Sequence, residues 1–210
     1  MVPCIMCHSD RTQPLGVFQE VPYFRCRNCH TVYKDPVQFL DPETEKQRYL
    51  LHKNDVDDIH YQQFVKPIFD AVVQKYNSNC LGLDFGAGSG PVITKLLRDR
   101  GYSMSLYDPF FYPDTAVLEP TYDFIVCCEV IEHFHNPSKE FQLLFDLLKP
   151  QGRLFCMSEL LPEQENFEAW YYKNDPTHVI FYSEENLDWI KERFGFFEVI
   201  AEGRLISFSK

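Results

Sequence analysis

Two cysteine pairs of identical spacing, Cys4-x-x-Cys7 and Cys26-x-x-Cys29, stand 18 residues apart in a chain of 210. Each pair can offer two thiolates from one tight knuckle, and the loop between them is long enough to bring both knuckles to a single tetrahedral zinc. Four thiolates close such a site, so the metal is expected to be structural. The surrounding segment carries Pro3, Pro14, Pro22 and Pro36 and buries too little apolar surface to fold alone. Metal binding would supply the missing free energy. His8 and His30 flank the knuckles and read as bystanders. Cys80, Cys127, Cys128 and Cys156 lie in or beside apolar runs and read as small buried hydrophobes.

A second pattern is "LDFGAGSGP", Leu83 to Pro91, an apolar run ending in an acid and followed by Gly86, Gly88 and Gly90. In an open α/β sheet the glycine turn after the first strand normally forms part of the ligand site. A dinucleotide fingerprint, G-x-G-x-x-G, would need its third glycine where Pro91 stands, so the turn departs from that pattern where a pyrophosphate would need it. Asp108 follows Gly86 by 22 residues and ends the next apolar run, where a carboxylate accepts hydrogen bonds from ribose hydroxyls. Turn and carboxylate imply a nucleoside ligand without a diphosphate. Glu132 and His133, after "YDFIVCC", are candidates for proton transfer. So is His178, since a histidine can take a proton near neutral pH or orient an acceptor through one ring nitrogen. His178 lies in "FEAWYYKNDPTHVIFYS" with Phe167, Trp170, Tyr171, Tyr172, Phe181 and Asp175, a mixture expected of a substrate lid. Asp175 stands where it could fix the tautomer of His178.

The elements that must position these groups follow from the hydrophobic pattern. Short apolar runs at Leu81–Phe85, Ser103–Tyr107, Phe124–Cys128 and Arg153–Ser158 read as buried parallel strands, with helices at Val92–Arg100 and Ser138–Leu148 between them. This alternation predicts an α/β fold with a doubly wound, Rossmann-like sheet. "FFEVIAEGRLISFS" reads as two strands joined at Glu202-Gly203, too short a link for a parallel crossover, so an antiparallel C-terminal hairpin is expected. A short strand around Ala116–Leu118 brings the expected total to seven. Upstream, Tyr61, Phe64, Val65, Ile68, Phe69 and Val72 have helical spacing, with Pro67 kinking or restarting the helix. The acidic, proline-bearing stretch Asp35–Glu45 reads as a linker, dividing the chain into residues 1–40, a zinc ribbon, and residues 41–210, the α/β domain. The net charge of −11 disfavours a nucleic-acid partner. No basic start precedes an apolar stretch, and no apolar run has membrane-spanning length, so a cytoplasmic protein is expected. The sequence specifies no oligomeric state.

"LDFGAGSG", "LYDPF", "YDFIVCCEVIEHF" and "LLKPQGRLF" resemble, in order and spacing, the successive motifs of class I S-adenosylmethionine-dependent methyltransferases over residues 55–210. The E-V-x-E-H stretch is similar to the branch that includes ubiquinone-pathway and sugar methyltransferases, some of which carry an amino-terminal zinc ribbon. The resemblance implies S-adenosylmethionine as cofactor and a small-molecule methyl acceptor. It implies that Asp84 organises the turn and that Gly86, Ala87, Gly88 and Gly90 lie against the methionine and ribose. Asp108 would bind both ribose hydroxyls, Pro109 and Phe110 would flank the adenine, and Glu129 and Ile131 would line the floor below the sulfonium. Tyr49 and His52 would close over the cofactor. His178 to Ser183 matches an H-x-x-F-[FY]-[ST] stretch found beside related active sites. Two other readings stay open: an RNA methyltransferase gripping its substrate through the ribbon, whose Arg11, Arg25, Arg27 and Lys34 are locally basic, and a non-catalytic scaffold that keeps the cofactor site.

Overall fold

A computed structural model of the chain describes residues 2–51, 54–162 and 167–210. The first strands, β1 (Thr12–Phe18), β2 (Val21–Cys26) and β3 (Val32–Lys34), form an antiparallel meander. Helix α1 (Pro42–Leu50) follows, opened by Asp41, whose side chain accepts from the backbone N–H groups of Glu43 and Thr44. The long helical pattern downstream is divided into α2 (Ile59–Phe64) and α3 (Lys66–Lys75). Pro67 restarts the helix in the first turn of α3, where a missing N–H has no intrahelical partner to lose.

The main sheet contains β4 (Leu81–Phe85), β5 (Ser103–Tyr107), β6 (Tyr122–Cys128), β7 (Leu148–Met157) and a final antiparallel pair. Between these strands run α4 (Val92–Asp99) and α5 (Pro137–Leu147). A two-residue strand, β8 (Ile180–Phe181), and α6 (Glu184–Phe194) precede the hairpin of β9 (Glu198–Glu202) and β10 (Leu205–Ser209). The spatial order is β5-β4-β6-β7-β10-β9; β5, β4, β6 and β7 run parallel, while β10 is antiparallel to both β7 and β9. The expected α/β sheet and its hairpin are present, with six strands and not seven. Ala116–Leu118 lies in a 3-10 turn, Thr115–Leu118, whose Ala116 N–H is capped by Asp114 Oδ1 at 3.0 Å. Pro113 and Pro120 bracket it, and each lacks the N–H that a ladder needs.

The continuous apolar runs of β6 and β7 reflect burial on both faces. Ile125, Cys127, Leu154 and Cys156 pack toward Phe141 and Leu144 of α5 and Leu187 and Ile190 of α6. Phe124, Val126, Phe155 and Met157 pack toward Ile68 and Val72 of α3 and Val92, Ile93 and Leu97 of α4. Alternate residues serve opposite layers, as the period of a strand requires.

The meander does not stand alone. β3 pairs with β8, Val32 opposite Phe181 and Tyr33 opposite Ile180, giving a second sheet in the order β1-β2-β3-β8. Tyr23 and Val32 of the meander share a buried cluster with Phe167, Trp170, Tyr172 and Phe181.

Candidate active site

The chain reverses sheet direction at β4, which has β5 on one side and β6 on the other, the arrangement that leaves a crevice at the carboxyl ends of the strands. The turn after β4 is tied to the end of β5: Gly86 and Ala87 N–H groups both donate to the Tyr107 carbonyl, at 2.8 and 3.1 Å. Gly86 has φ +80°, and a Cβ there would lie 2.5 Å from Val130 Cγ2. The position therefore demands glycine by conformation and by space. Asp84 is buried and its Oδ2 accepts the Thr94 hydroxyl at 2.7 Å, tying strand to helix α4. Burial raises its carboxyl to about 6.

Asp108 serves both walls of the crevice. Its Oδ2 accepts Gly88 N–H at 2.9 Å, and its Oδ1 accepts Phe110 and Phe111 N–H at 2.8 and 3.0 Å. One carboxylate thus aligns the glycine turn with the loop carrying Pro109 and Phe110. The cavity beside it has a volume of about 1060 Å³, at the upper end of the ~300–1,000 Å³ range of single ligand sites. Tyr49, Asp84, Gly86, Ala87, Gly88, Gly90, Asp108, Pro109, Phe110, Glu129, His133 and His178 line it. Glu132 is fully buried behind this wall, and Ile131 packs into the core without reaching the cavity. His52 lies outside the described residues.

On the cavity wall, Tyr172 donates to the Glu132 carboxylate, lies 3.3 Å from Glu129 Oε2, and meets Ser158 Oγ at 3.2 Å. Arg204 pairs with Glu129, approaches Glu159 at 3.4 Å, and its guanidinium lies over the rings of Phe64 and Tyr172 at 5.2 and 5.6 Å. Burial pushes both glutamates above the usual carboxylate range, and their mutual repulsion adds to the shift of Glu129.

His133 and His178 face one another with ring centroids 4.8 Å apart. Their Nδ1 atoms lie 3.0 Å from the Thr177 carbonyl and 2.6 Å from the Tyr172 carbonyl, respectively. A carbonyl only accepts, so each ring carries its proton on Nδ1 and keeps a lone pair on Nε2. Burial first, and the neighbouring His133 next, lower His178 to about 3; burial also lowers His133. Both rings are neutral at physiological pH. Asp175 does not contact the His178 ring through a hydrogen bond in this arrangement. Its Oδ1 accepts Thr177 N–H and hydroxyl, and its Oδ2 pairs with Arg48 at 2.9 Å. This pair pins α1 over the cavity, where the Tyr49 ring lies 5.9 Å from Phe110 and 5.4 Å from His133.

The four cysteines of the meander converge. Their Sγ atoms lie within 4.8 Å of one another, with Cys4–Cys29 at 3.4 Å and Cys7–Cys26 at 3.5 Å. Tetrahedral thiolates at the usual Zn–S bond length stand ~3.8 Å apart. Asn28 N–H points at Cys26 Sγ at 3.3 Å and Asn28 Nδ2 at Cys7 Sγ at 3.5 Å, the outer contacts that support a thiolate. The knuckles share a backbone form: His8 and His30 both take positive φ, 57° and 61°, and Cys4 and Cys26 N–H groups each reach a carbonyl five residues on. The donor set and its spacing fit a zinc ion. The same module braces the segment before β8 and helix α6: Lys34 Nζ donates to the Pro176 carbonyl at 2.6 Å, Tyr23 hydroxyl to the Lys173 carbonyl at 3.2 Å, and Asn186 Nδ2 to the Cys29 carbonyl at 2.7 Å.

Arg204 and Arg48 were not among the residues singled out from sequence. Arg48 carried no signal. Arg204 was recoverable from topology: β9 runs antiparallel to β10, which runs antiparallel to β7, so the Gly203-Arg204 turn must return to the carboxyl edge where the cavity lies.

This sheet and cavity define the class I methyltransferase fold. Residues 53–201 match the family model described as a methyltransferase domain, more than half of the chain, and the chain belongs to that family of enzymes. Solved structures of similar fold include an O-methyltransferase family protein from Burkholderia thailandensis, with TM-score 0.53 at 12% identity, covering 79% of this chain and 61% of that one. Another is the 1,6-didemethyltoxoflavin-N1-methyltransferase of the same organism, determined with 1,6-didemethyltoxoflavin and S-adenosylhomocysteine, with TM-score 0.54 at 13% identity over 94% of this chain and 99% of that one. A third is a SAM-dependent methyltransferase from Archaeoglobus fulgidus, with TM-score 0.53 at 18% identity over 71% of this chain and 94% of that one. No curated protein sequence matches the chain. Among the described residues no helix is long and apolar enough to cross a membrane.

Proposed function

We propose that the enzyme transfers a methyl group from S-adenosylmethionine to a small-molecule acceptor, and that its amino-terminal module holds a structural zinc through Cys4, Cys7, Cys26 and Cys29. The observation that carries this reading is one cavity lined by two chemically distinct groups of residues. The glycine turn and Asp108 form one group; Glu129, His133 and His178 form the other. S-adenosylmethionine supplies an activated methyl group on a sulfonium that is already a good leaving group. The residues of this chain supply alignment, which accounts for much of the rate when a nucleophile is held in line.

Asp108 accepts one backbone N–H on Oδ2 and two on Oδ1, which leaves about one of a carboxylate's four acceptor sites, on Oδ2, for a ribose hydroxyl. Phe110 and Tyr49 offer apolar faces for the adenine. The Glu129 carboxylate supplies negative charge near a sulfonium. His133 and His178, neutral and fixed in one tautomer, present their Nε2 lone pairs toward the part of the cavity that would take the acceptor. Tyr172 and Arg204 fix Glu129 and Glu132, and the Arg48–Asp175 pair holds α1 as a cover. The ribbon's role is to hold β8 and the segment before it, so that His178 is presented at a set depth. Among the described residues the cavity lining shows no basic aromatic track for stacked bases, and the net charge of −11 favours a small acceptor over RNA.

The test is incubation with S-adenosylmethionine and separate panels of small hydroxyl- and amine-bearing compounds and of RNA, reading S-adenosylhomocysteine formed. Turnover with a member of the small-molecule panel is expected. Turnover with RNA alone would overturn the acceptor class, and binding of S-adenosylhomocysteine without turnover on either panel would favour a scaffold. With an acceptor in hand, His178→Ala should lower single-turnover rate at nearly unchanged cofactor affinity, and by about 100- to 10,000-fold only if His178 takes the acceptor's proton.

A further inference from the structure

We propose that Glu132, His133 and His178 form a second metal site, distinct from the four cysteines, that holds a divalent first-row transition ion with open positions toward the cavity. One carboxylate oxygen of Glu132 and one ring nitrogen from each histidine lie within 4.8 Å of one another. Donors sharing one ion at bonds of ~2.0–2.2 Å stand at most ~4.4 Å apart, so side-chain rotations of a few tenths of an ångström close this group around a metal. Glu132 is fully buried, and its Oε2 has no hydrogen-bond partner among the described residues. A buried carboxylate oxygen left without a donor is costly. Its neighbour Oε1 is held by the Tyr172 hydroxyl, which fixes the plane of the group.

The histidines are prepared in the same way. Each gives its Nδ1 proton to a backbone carbonyl, His133 to Thr177 and His178 to Tyr172. Metal-binding histidines are oriented by such an outer contact, which leaves Nε2 as the ligand atom. The backbone locks the three together: Val179 N–H donates to the Glu132 carbonyl at 2.9 Å, joining the turn that carries Glu132 and His133 to the residue after His178. Glu129 is not among the three grouped donors: Arg204 engages its Oε2, while its buried Oε1, like Glu132 Oε2, has no partner among the described residues.

Two imidazoles and a carboxylate favour Mn, Fe, Co, Ni or Zn over Mg or Ca. His133 and His178 line the cavity whereas Glu132 lies behind them, so the remaining coordination positions face the part of the cavity that would take the acceptor. This last step rests on the methyl-transfer reading: an ion there would acidify a hydroxyl of the acceptor, so the acceptor is inferred to be an oxygen nucleophile. Its proton goes to solvent, the oxygen bonds to the methyl carbon as the carbon–sulfur bond breaks, and that bond's electron pair leaves on the thioether sulfur.

The test uses the full chain with its cysteine module loaded with zinc, titrated with Mn2+, which prefers nitrogen and oxygen over thiolate. Loss of the free-ion paramagnetic resonance signal should report one Mn2+ bound per chain. His178→Ala and Glu132→Gln should each weaken binding by about tenfold or more, with zinc content and the melting transition confirming a folded chain. Acetohydroxamate, a bidentate oxygen ligand, should change the spectrum of the bound ion. Absence of Mn2+ binding, or equal affinity in the variants, overturns the site; an unchanged spectrum with acetohydroxamate overturns its open face. Calorimetry with S-adenosylhomocysteine on the same samples reads the cofactor site separately, so failure of one reading is distinguishable from failure of the other.

Discussion

Gly86→Ala tests whether the glycine turn is a built ligand cradle or an ordinary loop. Two independent costs are visible. At φ +80° an L-residue carries left-handed strain of about 1–2 kcal/mol. The new methyl would also sit 2.5 and 2.6 Å from the two Val130 γ-carbons, and overpacking of this kind costs about 1–3 kcal/mol. Their sum, about 2–5 kcal/mol, corresponds to a fall in melting temperature of about 4–20 °C for a chain of this size. Because Gly86 and Ala87 N–H groups are tied to Tyr107, the displaced turn should also lose affinity for S-adenosylhomocysteine. Gly86→Ala combined with Val130→Ala separates the costs: the clash is relieved, the backbone strain is not, and the double variant should be more stable than the sum of the single effects by about 1–3 kcal/mol. The assay is thermal unfolding beside calorimetric titration for the four members of the cycle. A Gly86→Ala variant with unchanged melting and unchanged affinity would refute the reasoning.

Asp108→Asn keeps an oxygen for Phe110 and Phe111 but faces Gly88 N–H with an amide donor. It should weaken S-adenosylhomocysteine binding by about 10- to 100-fold, from charge-assisted bonds worth about 1.5–3 kcal/mol, as read by calorimetry. Cys26→Ser should release zinc, by metal analysis, and also lower turnover, because β3 and Lys34 hold the segment that presents His178; full turnover without zinc would remove the ribbon from the account of the site. Asp84 titrates at about 6 in the fold against 3.8 as its reference. The folded state then binds the extra proton between those values, so stability should fall as pH rises from about 4 to about 6 and level off above, by on the order of 3 kcal/mol. Asp84→Asn, which retains an oxygen for Thr94, should flatten that part of the stability–pH curve measured by denaturant unfolding.

The parallel core was legible because burial on both faces makes β4, β6 and β7 continuous apolar runs, and the hairpin was legible because Glu202-Gly203 leaves no length for a crossover. Ala116–Leu118 misled because its apolar residues suit a strand while Asp114 and the bracketing prolines favour a turn. The cysteine cluster was readable from spacing alone. Its attachment to the segment carrying His178 was not: the β3–β8 pairing joins residues far apart in sequence through a strand of two residues, too short to leave a period. His178 and Glu132 were recognisable as residue types with chemical use, but the carbonyls that fix the histidine tautomers and the unpartnered Glu132 oxygen exist only once the turn at Ile131–His133 meets Val179.

The most direct measurement is a crystal structure of the enzyme with S-adenosylhomocysteine. The account predicts the ribose on Asp108, the methionine portion against Gly86–Gly90, the adenine beside Phe110, and the thioether sulfur directed toward the part of the cavity lined by Glu129, His133 and His178. Density for the ligand elsewhere, or a ribose that leaves Asp108 uncontacted, would contradict it.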